Sequence, residues 1–381
     1  MEIPDLRKEI VNLINKGGKI TFADFMELAL YHPEYGYYTS GKEKIGKKGD
    51  YYTSSDVHPV FGELIARQME QMLRLMGRGQ FTIVEIGAGK GWLCHDIINS
   101  IKKEFPEFFE QVDYRIVEIS RNLIERQSDT LKGLEDKVSW ESFSEDGFSF
   151  EPLEGCFLSN EFVDALPVHQ VIVEDNCLKE IYVTIENDEF CEEVDKLSNP
   201  VLEDYFKESK ISLKEGQRAE VNLKALDWVR NISRYLKRGF VITIDYGHLA
   251  EDLYSEERHR GTLMCYYGHT TNENPYERVG SQDITAHVNF SSLMQEGSKY
   301  GLSITGFTKQ SNFLIALGIL NKMNEVQGDI SSLLTIKNLF LPVGMGDVFK
   351  VLIQHKRVDK PELIGLRSMA EPKLEREIEG Y

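Results

Sequence analysis

What this chain lacks narrows its chemistry first. No apolar stretch approaches the ~18 residues that a membrane-spanning helix needs; the longest, around residues 313–320, is less than half that length. Five cysteines (Cys94, Cys156, Cys177, Cys191 and Cys265) are odd in number and widely spaced, with no C-x-x-C pair. That argues against a disulfide framework and against a zinc site. The nine histidines form no H-E-x-x-H or comparable pair, so no metal is expected. Positive charge is also scarce: 44 lysines and arginines face 62 aspartates and glutamates, a formal charge of −18. Nucleic acid and anionic membranes both need cationic groups to displace counterions, so neither is an expected partner. The acidity suits a basic substrate, such as an arginine-bearing protein segment, or serves solubility alone. Residues 1–6 resemble neither a signal nor an Arg-rich transit peptide, which predicts a cytoplasmic location.

What is present is concentrated in one loop. Residues 81–84 form a short β-prone apolar run, followed by Glu85-Ile86-Gly87-Ala88-Gly89-Lys90-Gly91 and a helical pattern from Trp92. Glycines at alternate positions let a backbone turn sharply and bring its N–H groups close to a ligand. A plain strand-to-helix turn is the alternative. The pattern Glu-x-Gly-x-Gly-x-Gly is the nucleotide loop of class I S-adenosylmethionine (SAM) methyltransferases. A dinucleotide loop would need its third glycine at position 92, which is Trp92. A P-loop reading of residues 41–48 fails at Lys48, where a magnesium-holding Ser or Thr is required. A second β-like run, residues 113–118, ends in Glu118, 27 residues beyond Gly91, with a helix between. That makes a βαβ unit with a parallel sheet, and an acid there can accept both hydrogen bonds of a ribose diol.

At 381 residues the chain predicts two domains, or one domain with large insertions. Helical patterns cover residues 4–16 and about 21–30, the second capped by Thr21 with Asp24. Residues 59–76 read as a longer helix. Residues 138–141 and 156–159 read as the third and fourth strands, and 168–213 as an insertion of strand-like runs and acidic turns. A helix over 219–236, a strand over 240–245 and a loop-rich stretch to 289 follow. Helix 290–300, strand 302–307, two helices and strand 348–354 close the domain, with a charged, frayed tail after about Asp359. The organisation is therefore residues 1–76 (helices and lid loop), 77–167 (first part of the core), 168–218 (insertion), 219–357 (rest of the core, loop-rich over 246–289) and 358–381 (tail).

Several blocks carry a family resemblance. They are residues 25–38 (Phe25 to Tyr38, with His32-Pro33-Glu34-Tyr35-Gly36), 49–54 with 61–63, 159–169 (Ser159-Asn160-Glu161-Phe162-Val163-Asp164 onward), 283–290 and 344–351. Over roughly residues 20–357 the chain resembles the MidA-like family of class I methyltransferases. Mitochondrial members of that family are complex I assembly factors that symmetrically dimethylate an arginine on a partner subunit. The resemblance implies an α/β fold: a Rossmann-like, seven-stranded, mostly parallel sheet with an added, mainly helical substrate-side region. It implies SAM as cofactor and S-adenosylhomocysteine as product. Glu85, Gly87, Ala88, Gly89 and Gly91 would form the SAM loop, with Glu118 on the ribose and Thr53 and Ser54 closing over the cofactor. Asn160 and Glu161 would stand between methyl donor and acceptor.

For an arginine acceptor, carboxylates orient the cationic guanidinium through bidentate hydrogen bonds. Glu161 is the expected primary ligand and Asp164, one turn on if the segment is helical, its support; Asp164 as the cap of a turn before Pro167 is the alternative. His287 is either a proton acceptor or a shaper of the pocket. Residues 245–247 read as a cleft edge, with Tyr266 and Tyr267 as pocket walls. Three functions fit: a protein arginine N-methyltransferase, a methyltransferase of a small or carrier-bound molecule, and a non-catalytic SAM-binding assembly factor.

Overall fold

The structure, a computed structural model, describes residues 4–40, 58–77, 79–144, 147–326, 328–342 and 344–367. Two helices open it, α1 (Pro4–Gly17) and α2 (Phe22–Tyr31). Thr21 caps α2 as its sequence predicts: its hydroxyl accepts from the Asp24 N–H at 3.0 Å, and Asp24 accepts from the Thr21 N–H at 3.3 Å. After α3 (Val60–Leu75) come β1 (Phe81–Ile86), α4 (Trp92–Glu104), β2 (Val112–Val117), α5 (Arg121–Thr130), β3 (Val138–Glu141) and β4 (Leu153–Asn160). Beyond the insertion lie α6 (Leu223–Tyr235), β5 (Leu236–His248), α7 (Phe290–Lys299), β6 (Ser303–Lys309), α8 (Gln310–Leu317) and β7 (Phe349–Lys356).

The central sheet runs β6-β7-β5-β4-β1-β2-β3. All neighbours from β5 to β3 are parallel; β7 is antiparallel to both β5 and β6. These seven strands form the sheet that the resemblance implies, to which the two-residue strand Val288–Asn289 adds a short parallel pairing with the end of β5. Both faces are covered, so the central strands β1, β4 and β5 are buried almost continuously rather than alternately. Ile83, Ile116 and Ile242 pack with α3, α4 and α8, whereas Val84, Val117 and Val241 pack with α6 and α7. The chain leaves β1 toward β2 and β3, then returns to the other side of β1 as β4. That reversal is where open α/β sheets leave a crevice at their carboxyl ends.

The added region departs from the mainly helical one implied above. Besides α1 and α2 it holds a five-stranded antiparallel sheet, including His169–Glu174, Cys177–Glu186, Glu189–Asp195 and Arg218–Val221. Two tight hairpins build it, with Asp175-Asn176 and Asn187-Asp188 at their tips, all four residues at positive φ. Those residue types suit two-residue primed turns, whose twist matches the flanking strands. Phe22, Phe25 and Met26 of α2 pack on Val183 and Phe190 of this sheet.

Three boundaries move. The helix expected from residue 219 starts at Leu223, because residues 218–221 pair with His169–Glu174 and Asn222 caps α6 by accepting from the Ala225 N–H at 2.8 Å. Three helices, not two, follow β6, since Gly318 at φ 99 divides the first pair. The tail expected to fray after Asp359 is anchored through Arg367: Gln71 and Gln68 of α3 accept from the N–H groups of Ile364 and Gly365, both at 2.9 Å. Among the described residues no helix is long and apolar enough to cross a membrane.

Candidate active site

A cleft of about 750 Å³ opens where β1 and β4 end side by side. The glycine loop forms one wall. Gly87, Gly89 and Gly91 have φ values of 76, 53 and 82, in the left-handed region that side chains disfavour. A Cβ on Gly87 would lie 2.7 Å from Cδ2 of Phe162. The loop thus needs glycine both for its own shape and for the approach of the β4 exit.

Glu118 follows β2. Its Oε1 accepts from the N–H groups of Ile119 and Ser120, both at 2.9 Å, and its Oε2 accepts from Gln127 Nε2 at 3.1 Å. Gln127 also donates to the Gly89 carbonyl at 2.9 Å, so one α5 side chain ties the glycine loop to Glu118. Burial raises the Glu118 pKa, while these bonds oppose the shift.

Glu85 borders the cleft but is almost wholly buried, and it accepts from the Tyr114 hydroxyl at 2.8 Å. Burial pushes its pKa up to about 7 from 4.5, with the Tyr114 bond working against it. Unfolded, the group ionises near the lower value; folded, near the higher. The folded state therefore binds more protons between them, and stability falls as pH rises through that window, by about 3 kcal/mol in all. Glu85→Gln removes this penalty. Its melting temperature is expected to match wild type near pH 5 and exceed it at pH 8; a variant no more stable at pH 8 would contradict the assignment.

Beyond Asn160 the chain turns sharply. Glu161 adopts φ 52, a left-handed conformation costing roughly 1–3 kcal/mol for a side-chain residue. Both residues line the cleft, and Asn160 Nδ2 donates to Glu161 Oε1 at 3.1 Å. Asn160 Oδ1 is buried and has no hydrogen-bond partner among the described residues. Phe162 and Trp228, with ring centroids 6.0 Å apart, add an aromatic wall. Tyr31 and Tyr38, stacked at 5.5 Å, supply another from the N-terminal region.

Other predicted site residues fall elsewhere. Asp164 does not border the cleft. It is 4 % exposed, sits in the short turn Val163–Ala165 and bonds the Tyr246 hydroxyl. Because Glu161 is left-handed, the two carboxylates do not share a helix face. Burial pushes Asp164 up to about 6. His287 is likewise off the cleft, packed between Tyr246 and His248. Burial, with His248, Arg258 and Lys350 adding like charge, lowers its pKa to about 4, so it is a neutral packing group at pH 7. Tyr266 bonds Tyr246 beneath the loop, and Tyr267 also lies away from the cleft, so Tyr31 and Tyr38 take the wall role expected of them. Asp245 is buried below the β4 exit rather than at a cleft edge. A carboxylate ending the apolar run 240–244 was the signal for it. Thr53 and Ser54 lie outside the described residues.

The sequence and the fold have counterparts among known proteins. Residues 64–308 match the model of a family described as "Putative S-adenosyl-L-methionine-dependent methyltransferase". The chain belongs to this family. A Burkholderia thailandensis superfamily member, whose crystal structure contains S-adenosyl-homocysteine, superposes with a TM-score of 0.87 at 30% identity, covering 95% of this chain and 94% of its own. The mouse protein arginine methyltransferase NDUFAF7, mitochondrial, is 27% identical over 94% of this chain and 86% of its own length. A Caenorhabditis elegans homolog of NDUFAF7 is 28% identical over 84% and 78%. These relatives are named as mitochondrial, which overturns the cytoplasmic location read from the opening residues.

The residues of this SAM-dependent methyltransferase fit its cofactor. The glycine loop is a backbone cradle whose left-handed φ values favour glycine, and at Gly87 a Cβ would crowd Phe162. Glu118 sits at the end of the second strand, where a ribose diol can meet a carboxylate, and among the described residues its Oε2 accepts only from Gln127. Glu85 and Asn160 Oδ1, which has no partner among the described residues, suit the cationic amino-acid end.

Proposed function

We propose that this methyltransferase modifies a guanidinium nitrogen of arginine in a protein substrate, with no nucleic acid involved. The observation that carries the reading is Glu161: a carboxylate held beside the glycine loop, in a cleft walled by Phe162, Trp228, Tyr31 and Tyr38. The names of relatives aligned over most of the chain support the same acceptor.

SAM, when bound, supplies an electrophilic methyl group on a sulfonium. The chain must then position the acceptor and exclude water. Guanidinium is a poor nucleophile because it is cationic, with a pKa above about 12. Glu161 would grip it with charge-assisted bonds, fix one nitrogen toward the donor and accept the proton that nitrogen loses. The aromatic walls can stack on the planar cation and keep the site dry. Neither His287, neutral and off the cleft, nor Asp164, buried in the turn and bonded to Tyr246, lines the site.

The test incubates the protein with tritiated SAM and extract from cells lacking it, then hydrolyses the labelled protein fraction. Label in methylarginine is the expected result. Label in methyllysine, in base-labile esters or in the small-molecule fraction would overturn the arginine reading.

A further inference from the structure

The β4 exit is held by a carboxylate that does not line the cleft. Asp245, wholly buried near the carboxyl end of β5, aims Oδ2 at three successive backbone N–H groups: Phe162 at 3.2 Å, Val163 at 2.9 Å and Asp164 at 3.3 Å. Its Oδ1 accepts from the Tyr246 N–H at 2.9 Å. A buried carboxylate is costly unless hydrogen-bonded, and here its donors come chiefly from one loop.

Other polar groups of that loop are held from other directions. The Glu161 N–H donates to the Ile244 carbonyl at 2.9 Å, one residue before Asp245. Asn222 Nδ2 donates to the carbonyls of Val163 and Leu166 at 3.2 and 3.3 Å. The Tyr31 hydroxyl reaches the Ala165 carbonyl at 3.1 Å, and the Ala286 N–H reaches that of Asp164 at 3.0 Å. A left-handed glutamate persists only where its surroundings over-determine it. The amides that follow Glu161 are fixed by the Asp245 side chain.

We propose that Asp245 is a positioning residue for methyl transfer: it clamps the amides of residues 162–164 and thereby holds Glu161 in its left-handed, cleft-facing conformation. This rests on the reading of Glu161 as the acceptor's ligand. The clamp acts on the residues after Glu161, while the groups that suit the cofactor (the glycine loop, Glu118 and Asn160) precede the clamped amides or lie on other elements. Loosening it therefore lowers turnover without loosening the cofactor. A misplacement of about 1 Å at a reacting group can cost on the order of 100-fold in rate.

The experiment compares wild type, Asp245→Asn and Glu161→Gln in three measurements: S-adenosylhomocysteine titration, thermal melting, and tritium transfer from saturating SAM to extract from cells lacking the protein. Asn keeps the shape of Asp but turns part of the acceptor set into donors facing N–H groups. Expected for Asp245→Asn is a turnover reduced about 10- to 100-fold, with the extract concentration at half-maximal rate and the S-adenosylhomocysteine affinity each within about threefold of wild type. Unchanged turnover would overturn the proposal. So would a parallel fall in cofactor affinity and melting temperature, which marks a merely structural group. If Asp245→Asn does not fold, Asn222→Asp decides: it keeps the α6 cap but loses the Nδ2 bonds to the loop carbonyls, and the same split is expected. Full activity in Glu161→Gln would instead strike the acceptor reading itself, whatever Asp245→Asn does.

Discussion

Glu161→Gln is expected to lower methyl transfer by about 10²–10³ while leaving S-adenosylhomocysteine affinity within about threefold of wild type. The size follows from removing a charge-assisted group that acts where charge is redistributed, an effect commonly worth about 3–4 kcal/mol in a water-excluded site. Glutamine retains the length and one acceptor oxygen, so the loop and the Asn160 contact are largely preserved. It cannot grip guanidinium as a bidentate anion or take its proton. Single-turnover transfer at saturating SAM measures the loss directly. A rate within a fewfold of wild type would remove Glu161 from the chemistry.

Gly87→Ala is the second large effect, and it falls on the cofactor. Alanine at φ 76 carries backbone strain of roughly 1–2 kcal/mol. Its Cβ would also meet the Phe162 ring at 2.7 Å, which must move. Relief by shifting the loop withdraws its N–H groups from the ligand, so affinity is expected to fall about 30- to 100-fold, at 1.4 kcal/mol per tenfold. Gly91 offers an internal comparison. It has φ 82, but its Cβ would meet Gln127 at an ordinary 3.4 Å. Gly91→Ala should therefore weaken binding less than Gly87→Ala. Equal losses would show that the Phe162 contact adds nothing.

The sheet and the cofactor half of the cleft were legible because they depend on local chemistry. The alternate glycines, the acid ending β2 and the Thr21–Asp24 cap are each set by residues a few positions apart. The antiparallel sheet was less visible, although the pairs Asp175-Asn176 and Asn187-Asp188 marked its hairpins. The acceptor side was the hardest to read, since it is assembled by long-range contacts. Nothing near Glu161 in sequence shows that Asp245, 84 positions on, fixes the loop after it. Nor does the spacing of Glu161 and Asp164 reveal the left-handed turn that sends one carboxylate into the cleft and leaves the other beneath it. His287 misled for the same reason. Burial keeps it neutral, with His248, Arg258 and Lys350 from distant segments adding like charge.

The most direct test of the account is calorimetric titration of wild type and Glu118→Ala with S-adenosylhomocysteine. The cleft geometry predicts saturable binding to wild type. Loss of hydrogen bonds from a charged acceptor, each worth about 1.5–3 kcal/mol, should weaken the variant at least about tenfold. Equal binding by the two proteins would show that Glu118 does not meet the cofactor. No binding by well-folded wild type would contradict the cleft as a cofactor site altogether.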